Sequence, residues 1–279
     1  MYEHVLRGFA LLGPGRAGTS VAAALVARGW SVVAVAGRDA DSPQVRAIAG
    51  RFDAEARSVA DVGRGAELVI VATPDAAIAD AAAALAPSLE PDALVVHLSG
   101  ACTLDELDKL RVARPDVRIG SLHPLQSLPT AELGAERLAG SWCAVDGDDE
   151  VERLAVSIGM RPVRIDPQHR VAYHAAATVA SNHLVALLAQ AEELAARAGL
   201  PREALLPLVR ATVDNVAALG ADAALTGPVM RGDVETVRRH LDELPVDERH
   251  AYRALAGRAL QLSSRDDTAM AALLHEESR

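Results

Sequence analysis

Two histidines and an asparagine pose the chemical question in this chain. His123 stands in Ser121-Leu122-His123-Pro124-Leu125-Gln126-Ser127, where Pro124 fixes the backbone. An imidazole at a strand tip can titrate near neutral pH. His174 stands in a stretch that also holds Tyr173, Thr178, Ser181, Asn182 and His183. At a helical step of roughly 100° per residue, His174 and Ser181 nearly stack, and Asn182 lies about 80° round from His174. With Thr178 they form one polar stripe on an otherwise Ala/Val/Leu helix. Polar groups on a buried face need hydrogen-bond partners. Either they satisfy one another at a domain junction, or they face a wet cleft. A cleft suits carbonyl reduction, which needs a proton donor and hydrogen bonds to the developing alkoxide. His174 is then the donor, with His123 as the second candidate. Asn182 orients the substrate, and Ser99 and Ser181 help to bind it. A structural histidine and a turn serine are the plainer readings of His123 and Ser99. Arg231 sits in a glycine-flanked loop before Asp233. Capping of the next helix explains Asp233, while Arg231 suits a substrate carboxylate as a planar fork.

A second constellation points to the other reactant. Gly13-Pro14-Gly15-Arg16-Ala17-Gly18 spells G-x-G-x-x-G between the apolar run Phe9-Ala10-Leu11-Leu12 and the helix-like stretch Thr19 to Arg28. Strand, glycine loop and helix together make a dinucleotide fingerprint. Gly13 allows the tight turn, Gly15 lets the backbone approach a pyrophosphate, and Gly18 lets helix pack on strand. The helix N-terminus offers free N–H groups to the phosphates. The next strand-like run ends at Gly37-Arg38-Asp39. An acidic residue at that tip reads the ribose 2′-hydroxyl of NAD(H), whereas Arg38 suits a 2′-phosphate. With Arg16 nearby, the expected cofactor is NADP(H); Asp39 keeps NAD(H) open.

These groups need a scaffold. Strand patterns recur at Trp30 to Ala36, Glu67 to Ala72, Ala93 to Leu98 and Val117 to Leu122, with two later, partly exposed strands at Trp142 to Val145 and Pro162 to Ile165. Helix patterns lie between them at Pro43 to Arg51, at Ala76 to Leu85 with Asp75 as cap, and at Thr103 to Leu110 with Thr103 and Glu106 as a capping box. The alternation predicts an α/β fold: an N-terminal, mostly parallel sheet over residues 1–167 and an all-α domain over 168–279. Gln168 to Ala198 reads as one long helix, followed by helices at Pro201 to Leu219, Val234 to Leu244 and Asp247 to Leu262. In an open parallel sheet, ligands bind beyond the carboxyl ends of the strands. Thr73-Pro74-Asp75, Ser99-Gly100 and His123 all fall there, so Thr73, Pro74, Asp75 and Ser99 join the cofactor-binding set.

Composition narrows the partners. The chain has 279 residues, is 50% hydrophobic and only 3% aromatic, so Ala, Val and Leu build the interior. No run of eighteen apolar residues occurs, and Met1-Tyr2-Glu3-His4 lacks the pattern of a secretory leader, so a cytoplasmic protein without a membrane span is expected. A net charge of −10 argues against nucleic acid. Cys102 and Cys143 do not make a disulfide framework. The histidines show no paired metal-ligand spacing. Lys109 is the sole lysine.

The glycine loop, Ser99-Gly100, the Ser121 to Ser127 string, Tyr173-His174 with Ala180-Ser181-Asn182, and Gly227-Pro228 with Arg231-Gly232-Asp233 together resemble the predicted oxidoreductases that join a Rossmann-like domain to a helical DUF2520 domain. More distantly the chain is similar to 6-phosphogluconate and β-hydroxyacid dehydrogenases, ketopantoate reductases and pyrroline-5-carboxylate reductases. That resemblance implies a homodimer formed through the helical domain, and reduction of a small oxo acid, ketopantoate among the candidates. One departure matters. The β-hydroxyacid and ketopantoate enzymes carry a catalytic lysine one turn before an asparagine; if Asn182 is that asparagine, Thr178 occupies the lysine position. The expectation is therefore an NADP(H)-dependent oxo-acid reductase that uses His174. The alternatives are imine reduction and a non-catalytic nucleotide-binding dimer.

Overall fold

The computed structural model describes residues 7–275. Met1-Tyr2-Glu3-His4 and the polar tail Glu276-Glu277-Ser278-Arg279 lie outside the described residues. The chain forms two compact units, Met1–Ala186 and Leu187–Arg279.

The first unit is built on one eight-stranded sheet. Its strands are β1 (Gly8–Leu12), β2 (Ser31–Ala36), β3 (Glu55–Ala56), β4 (Leu68–Val71), β5 (Leu94–His97), β6 (Arg118–Pro124), β7 (Trp142–Gly147) and β8 (Arg161–Arg164). Their spatial order is β3-β2-β1-β4-β5-β6-β7-β8. All neighbours are parallel except β6 and β7, which run antiparallel. The α/β expectation of a mostly parallel sheet holds. Chain order reverses between β1 and β4, the switch point where such sheets open a ligand crevice.

The central strands are buried on both faces, as parallel strands covered by helices must be. Phe9 and Leu11 of β1 turn to one face, where they join Val21 and Leu25 of α1 (Arg16–Val26). Ala10 and Leu12 turn to the other, against Ile78, Ala82 and Leu85 of α3 (Ile78–Leu85), the helix after α2 (Pro43–Arg51). Each fully buried leucine contributes about 1.5–3 kcal/mol. After α4 (Asp108–Ala113) come two helices that the sequence patterns did not show: α5 (Ala131–Leu138), capped by Thr130, and α6 (Asp149–Ser157), capped by Asp148. Both are short, and charged residues outnumber their core contacts; only Gly134 and Leu138 of α5 are buried.

Two capping expectations need correction. Asp75 does not cap α3: it opens a 3₁₀ turn, Asp75–Ala77, and Ala77 holds the N-cap position. Thr103 caps a 3₁₀ turn, Leu104–Leu107, and its partner is Asp105 instead of Glu106.

The long helix is not regular. A 3₁₀ turn, Pro167–His169, leads into α7 (Arg170–Thr178), then a π turn, Val179–His183, then α8 (Leu184–Arg197). A π turn is wider than an α turn. The uniform step that stacked Ser181 on His174 therefore fails at Val179. By length and composition alone, Pro167–Arg197, 31 residues, is long and apolar enough for a membrane span: its most apolar eighteen-residue window has mean hydropathy 1.2, and none of that window is buried. The absence of an eighteen-residue apolar run did not reveal this, because isolated polar residues interrupt the stretch.

The second unit is helical: most of α8, then α9 (Leu206–Leu219), α10 (Ala221–Ala224), α11 (Pro228–Arg231), α12 (Val234–Glu243), α13 (Arg249–Leu262) and α14 (Thr268–His275). Val237, Leu241, Met270 and Leu273 form a small core among the last four. Asp233 caps α12 as expected, accepting the Thr236 N–H at 3.1 Å.

Candidate functional site

Strand β1 runs out into the glycine loop at the switch point. Gly13 adopts φ +96°, and a Cβ there would lie 2.6 Å from the carbonyl carbon and oxygen of Ala72. No side chain fits between the two strand ends. Gly18 is equally confined, its missing Cβ 2.7 Å from that of Ala72. Gly15 is the opposite case: nothing lies within 4 Å of a Cβ placed there. The loop is thus tight against the sheet and open on its outer side, as a phosphate cradle must be.

That open side lines a cavity of about 1430 Å³ in the first unit. It is larger than the space one small ligand needs. One end holds Gly13, Pro14, Gly15, Arg16 and Ala17, with Arg38 and Asp39 beside them. Arg16 and Arg38 are exposed and have no ion-pair partner among the described residues. Asp39 is partly engaged, since its carboxylate accepts the Asp41 N–H at 2.9 Å. Thr73, Pro74 and Asp75 line the middle. Thr73 Oγ1 is buried without a hydrogen-bond partner. A buried hydroxyl left unpaired costs free energy unless a ligand meets it. Confined glycines, an open Gly15, unpaired arginines and an orphaned Thr73 hydroxyl together fit a dinucleotide.

The other end holds Ser99, Gly100, His123, His174, Ser181 and Asn182. The fold thus brings five chosen side chains to one place. The imidazoles of His123 and His174 stand edge to face, 5.7 Å between centroids. Gly100 fits between them: a Cβ would meet His174 Cδ2 at 2.7 Å and His123 Nε2 at 2.8 Å. Burial, then the nearby His174 and Arg170, push His123 down to about 4. Its ring is therefore neutral at neutral pH. Ser99 is also a turn residue, its Oγ accepting the Ala101 and Cys102 N–H groups at 3.2 and 3.0 Å. Thr178 does not line the cavity, and Arg231 lies exposed in α11 of the second unit. Gly18 is not among the lining residues either, because it packs inward on Ala72.

Sequence reasoning missed two residues beneath this end. Arg170 is fully buried at the start of α7. Its guanidinium donates to Ser121 Oγ at 3.0 Å and to the Ser99 carbonyl at 2.9 Å. It therefore ties the tips of β5 and β6 under the helix. No carboxylate pairs with it among the described residues, and burial holds its pKa below the usual arginine value. His97, fully buried at the end of β5, accepts the Ser99 N–H at Nδ1 and is pushed down to about 4, first by burial and then by Arg170. One signal was available: an arginine in the first turn of an apolar helix opposes the helix dipole.

A doubly wound sheet with a glycine loop at its switch point defines the class, a Rossmann-type α/β protein. Residues 7–116 match the model of the Rossmann-like domain, and residues 141–259 match that of the domain of unknown function DUF2520. The chain joins these two domains in tandem. Among solved structures it resembles a Bacteroides fragilis protein described as a candidate NADP oxidoreductase: TM-score 0.78 and 24% identity over 91% of this chain and 98% of that one. It also resembles a pyrroline-5-carboxylate reductase from Coxiella burnetii, with TM-score 0.56 and 15% identity over 97% of each chain. A reductive aminase from Aspergillus terreus, solved with NADPH, aligns with TM-score 0.55 and 15% identity over 96% of this chain and 91% of that one. At these identities the likeness concerns the fold. No curated protein matches in sequence.

Proposed function

We propose that this protein is an NADP(H)-dependent oxidoreductase that reduces a small oxo acid. One observation carries the reading: a single cavity runs from the glycine loop to the His123–His174 pair. The solved structures described with NADP or NADPH support the cofactor by analogy. Gly13 to Ala17 hold the pyrophosphate, Arg38 with Arg16 the 2′-phosphate, and Thr73, Pro74, Asp75 and Ser99 the nicotinamide side. A bound nicotinamide supplies the hydride. His174 gives the proton to the carbonyl oxygen, while His123, Ser99, Ser181 and Asn182 hold the substrate by hydrogen bonds.

A second reading, reduction of an imine, has its own support. His123 is held neutral, the Asp75 carboxylate lines the cavity, and no arginine or lysine does so at the histidine end among the described residues. An imine that arrives protonated needs less acid from the protein and gains from a nearby carboxylate.

The proposal includes a homodimer through the helical region. Leu208, Val213, Val216 and Leu219 of α9 are exposed. Exposed apolar side chains gathered on one helix are the kind of surface that a second copy covers.

Fluorescence titration with NADPH and NADH tests the cofactor. Arg38→Ala is expected to weaken NADPH by roughly 30-fold, the loss of about 2 kcal/mol in charge-assisted hydrogen bonds, and to leave NADH nearly unchanged. Binding of neither nucleotide defeats the proposal. His174→Ala should abolish turnover and spare nucleotide binding. Turnover of ketopantoate but not of a cyclic imine supports the first reading; the reverse supports the second. Tight binding with no hydride transfer to either leaves a nucleotide-binding dimer.

A further inference from the structure

Tyr173 precedes His174, and its hydroxyl lies 2.8 Å from Nδ1 of His123. The two rings stand edge to face at 5.5 Å. The same hydroxyl lies 3.4 Å from the carbonyl oxygen of His123. One phenolic proton can serve only one of these acceptors. A good O–H···O bond spans about 2.5–3.0 Å, so the carbonyl contact is poor and leaves the phenolic proton free to be donated to Nδ1. A neutral imidazole that accepts at Nδ1 must carry its hydrogen on Nε2. Nε2 is the edge beside Gly100, at the cavity.

We propose that Tyr173 is a positioning residue whose hydroxyl holds His123 as the Nε2–H tautomer, so that His123 offers the cavity a hydrogen-bond donor. The proposal rests on the reductase reading above and divides the labour of the two histidines. His123 polarises the substrate carbonyl and keeps its proton. The surroundings agree: His174, Arg170 and His97 disfavour a charge on His123, and Asp75 opposes them. His174 then supplies the proton. The hydride reaches the carbonyl carbon, the π pair moves to oxygen, and the His174 proton completes the alcohol.

The test is a long-range ¹H–¹⁵N spectrum of the full chain, ¹⁵N-labelled at histidine, at pH 7 without ligand. His123 is assigned by the resonances lost in His123→Gln. The expected result is a hydrogen on Nε2 alone, and in Tyr173→Phe a mixture of tautomers or a shift to Nδ1–H. With an oxo-acid substrate, kcat of Tyr173→Phe falls by about 10²-fold and KM is unchanged, as for a group that acts only in the transition state. A hydrogen on Nδ1 in the native protein, or an unaltered tautomer in Tyr173→Phe, overturns the proposal. The spectrum needs no substrate, so a wrong tautomer and a missing reductase activity are separate failures.

Discussion

The sheet of the first unit and the helices α8 and α9 use the same residues, Ala, Val and Leu, to opposite effect. In β1, β4 and β5 every residue is buried. In α9 none is, and in α8 only Ala195 is. Leu25 of α1 is fully covered, while Leu208 of α9 is 64% exposed. Apolar content alone therefore does not say what an element packs against. The sheet closes its own core within one chain. α9 leaves a hydrophobic face open, and the small core formed by α11 to α14 does not include it. The contrast separates a frame that closes on itself from a helix whose apolar side chains stay exposed.

The first expected effect of mutation breaks or sustains that contrast directly. Leu25→Ala should cost about 3 kcal/mol in urea unfolding, by lost burial and a residual cavity. Leu208→Ala should cost under about 0.5 kcal/mol in a dilute monomer. If a second copy covers α9, the cost of Leu208→Ala grows with protein concentration, and Leu208→Glu shifts sedimentation from dimer to monomer. A concentration-independent penalty as large as that of Leu25→Ala would mean that α9 is buried within one chain.

Within the frame, the glycine loop makes a finer comparison. Gly13→Ala puts a Cβ 2.6 Å from the Ala72 carbonyl group at φ +96°. Strain and overpacking together should cost about 2–3 kcal/mol and abolish NADPH binding. Gly15→Ala meets no atom within 4 Å. It should leave stability within about 0.5 kcal/mol yet still weaken NADPH, because the new methyl occupies the phosphate side. Equal destabilisation by the two changes, read by urea unfolding, would contradict the cradle geometry.

The same distinction explains what could be read from the sequence. The βαβ alternation, the glycine loop and the strand-end residues were legible because parallel strands are continuous apolar runs and their tips face ligands. Asp233 was legible because capping is local. Asp75 was misread since its proline-led turn starts as 3₁₀ and shifts the cap to Ala77. The π turn was invisible, and it alters which side chains share a face after Val179. Arg170 and His97 were missed for a different reason. Their importance lies in contacts to Ser99 and Ser121, which only the sheet order brings together. Thr178 shares the polar stripe with His174, Ser181 and Asn182 by helical spacing, yet unlike them it does not line the cavity.

The last effect concerns the buried histidines, which set the site apart from the exposed helices in a pH-dependent way. His97 and His123 are both held near 4 in the folded protein, against 6.5 in the unfolded chain. The unfolded state therefore binds more protons between those limits, and stability rises with pH across them. Their contribution is fully present above about pH 6.5 and is lost as the pH falls toward 4, at up to about 1.4 kcal/mol per unit for each histidine. Urea unfolding from pH 7.5 to 4.5 should show this slope. His97→Gln should flatten it by roughly half, since it removes one of the two groups, whatever it costs in absolute stability. Arg170→Gln should also flatten it, because the guanidinium helps to keep both rings neutral. A slope unchanged in both variants would place the low-pH loss in other groups and remove Arg170 from the electrostatics of the site.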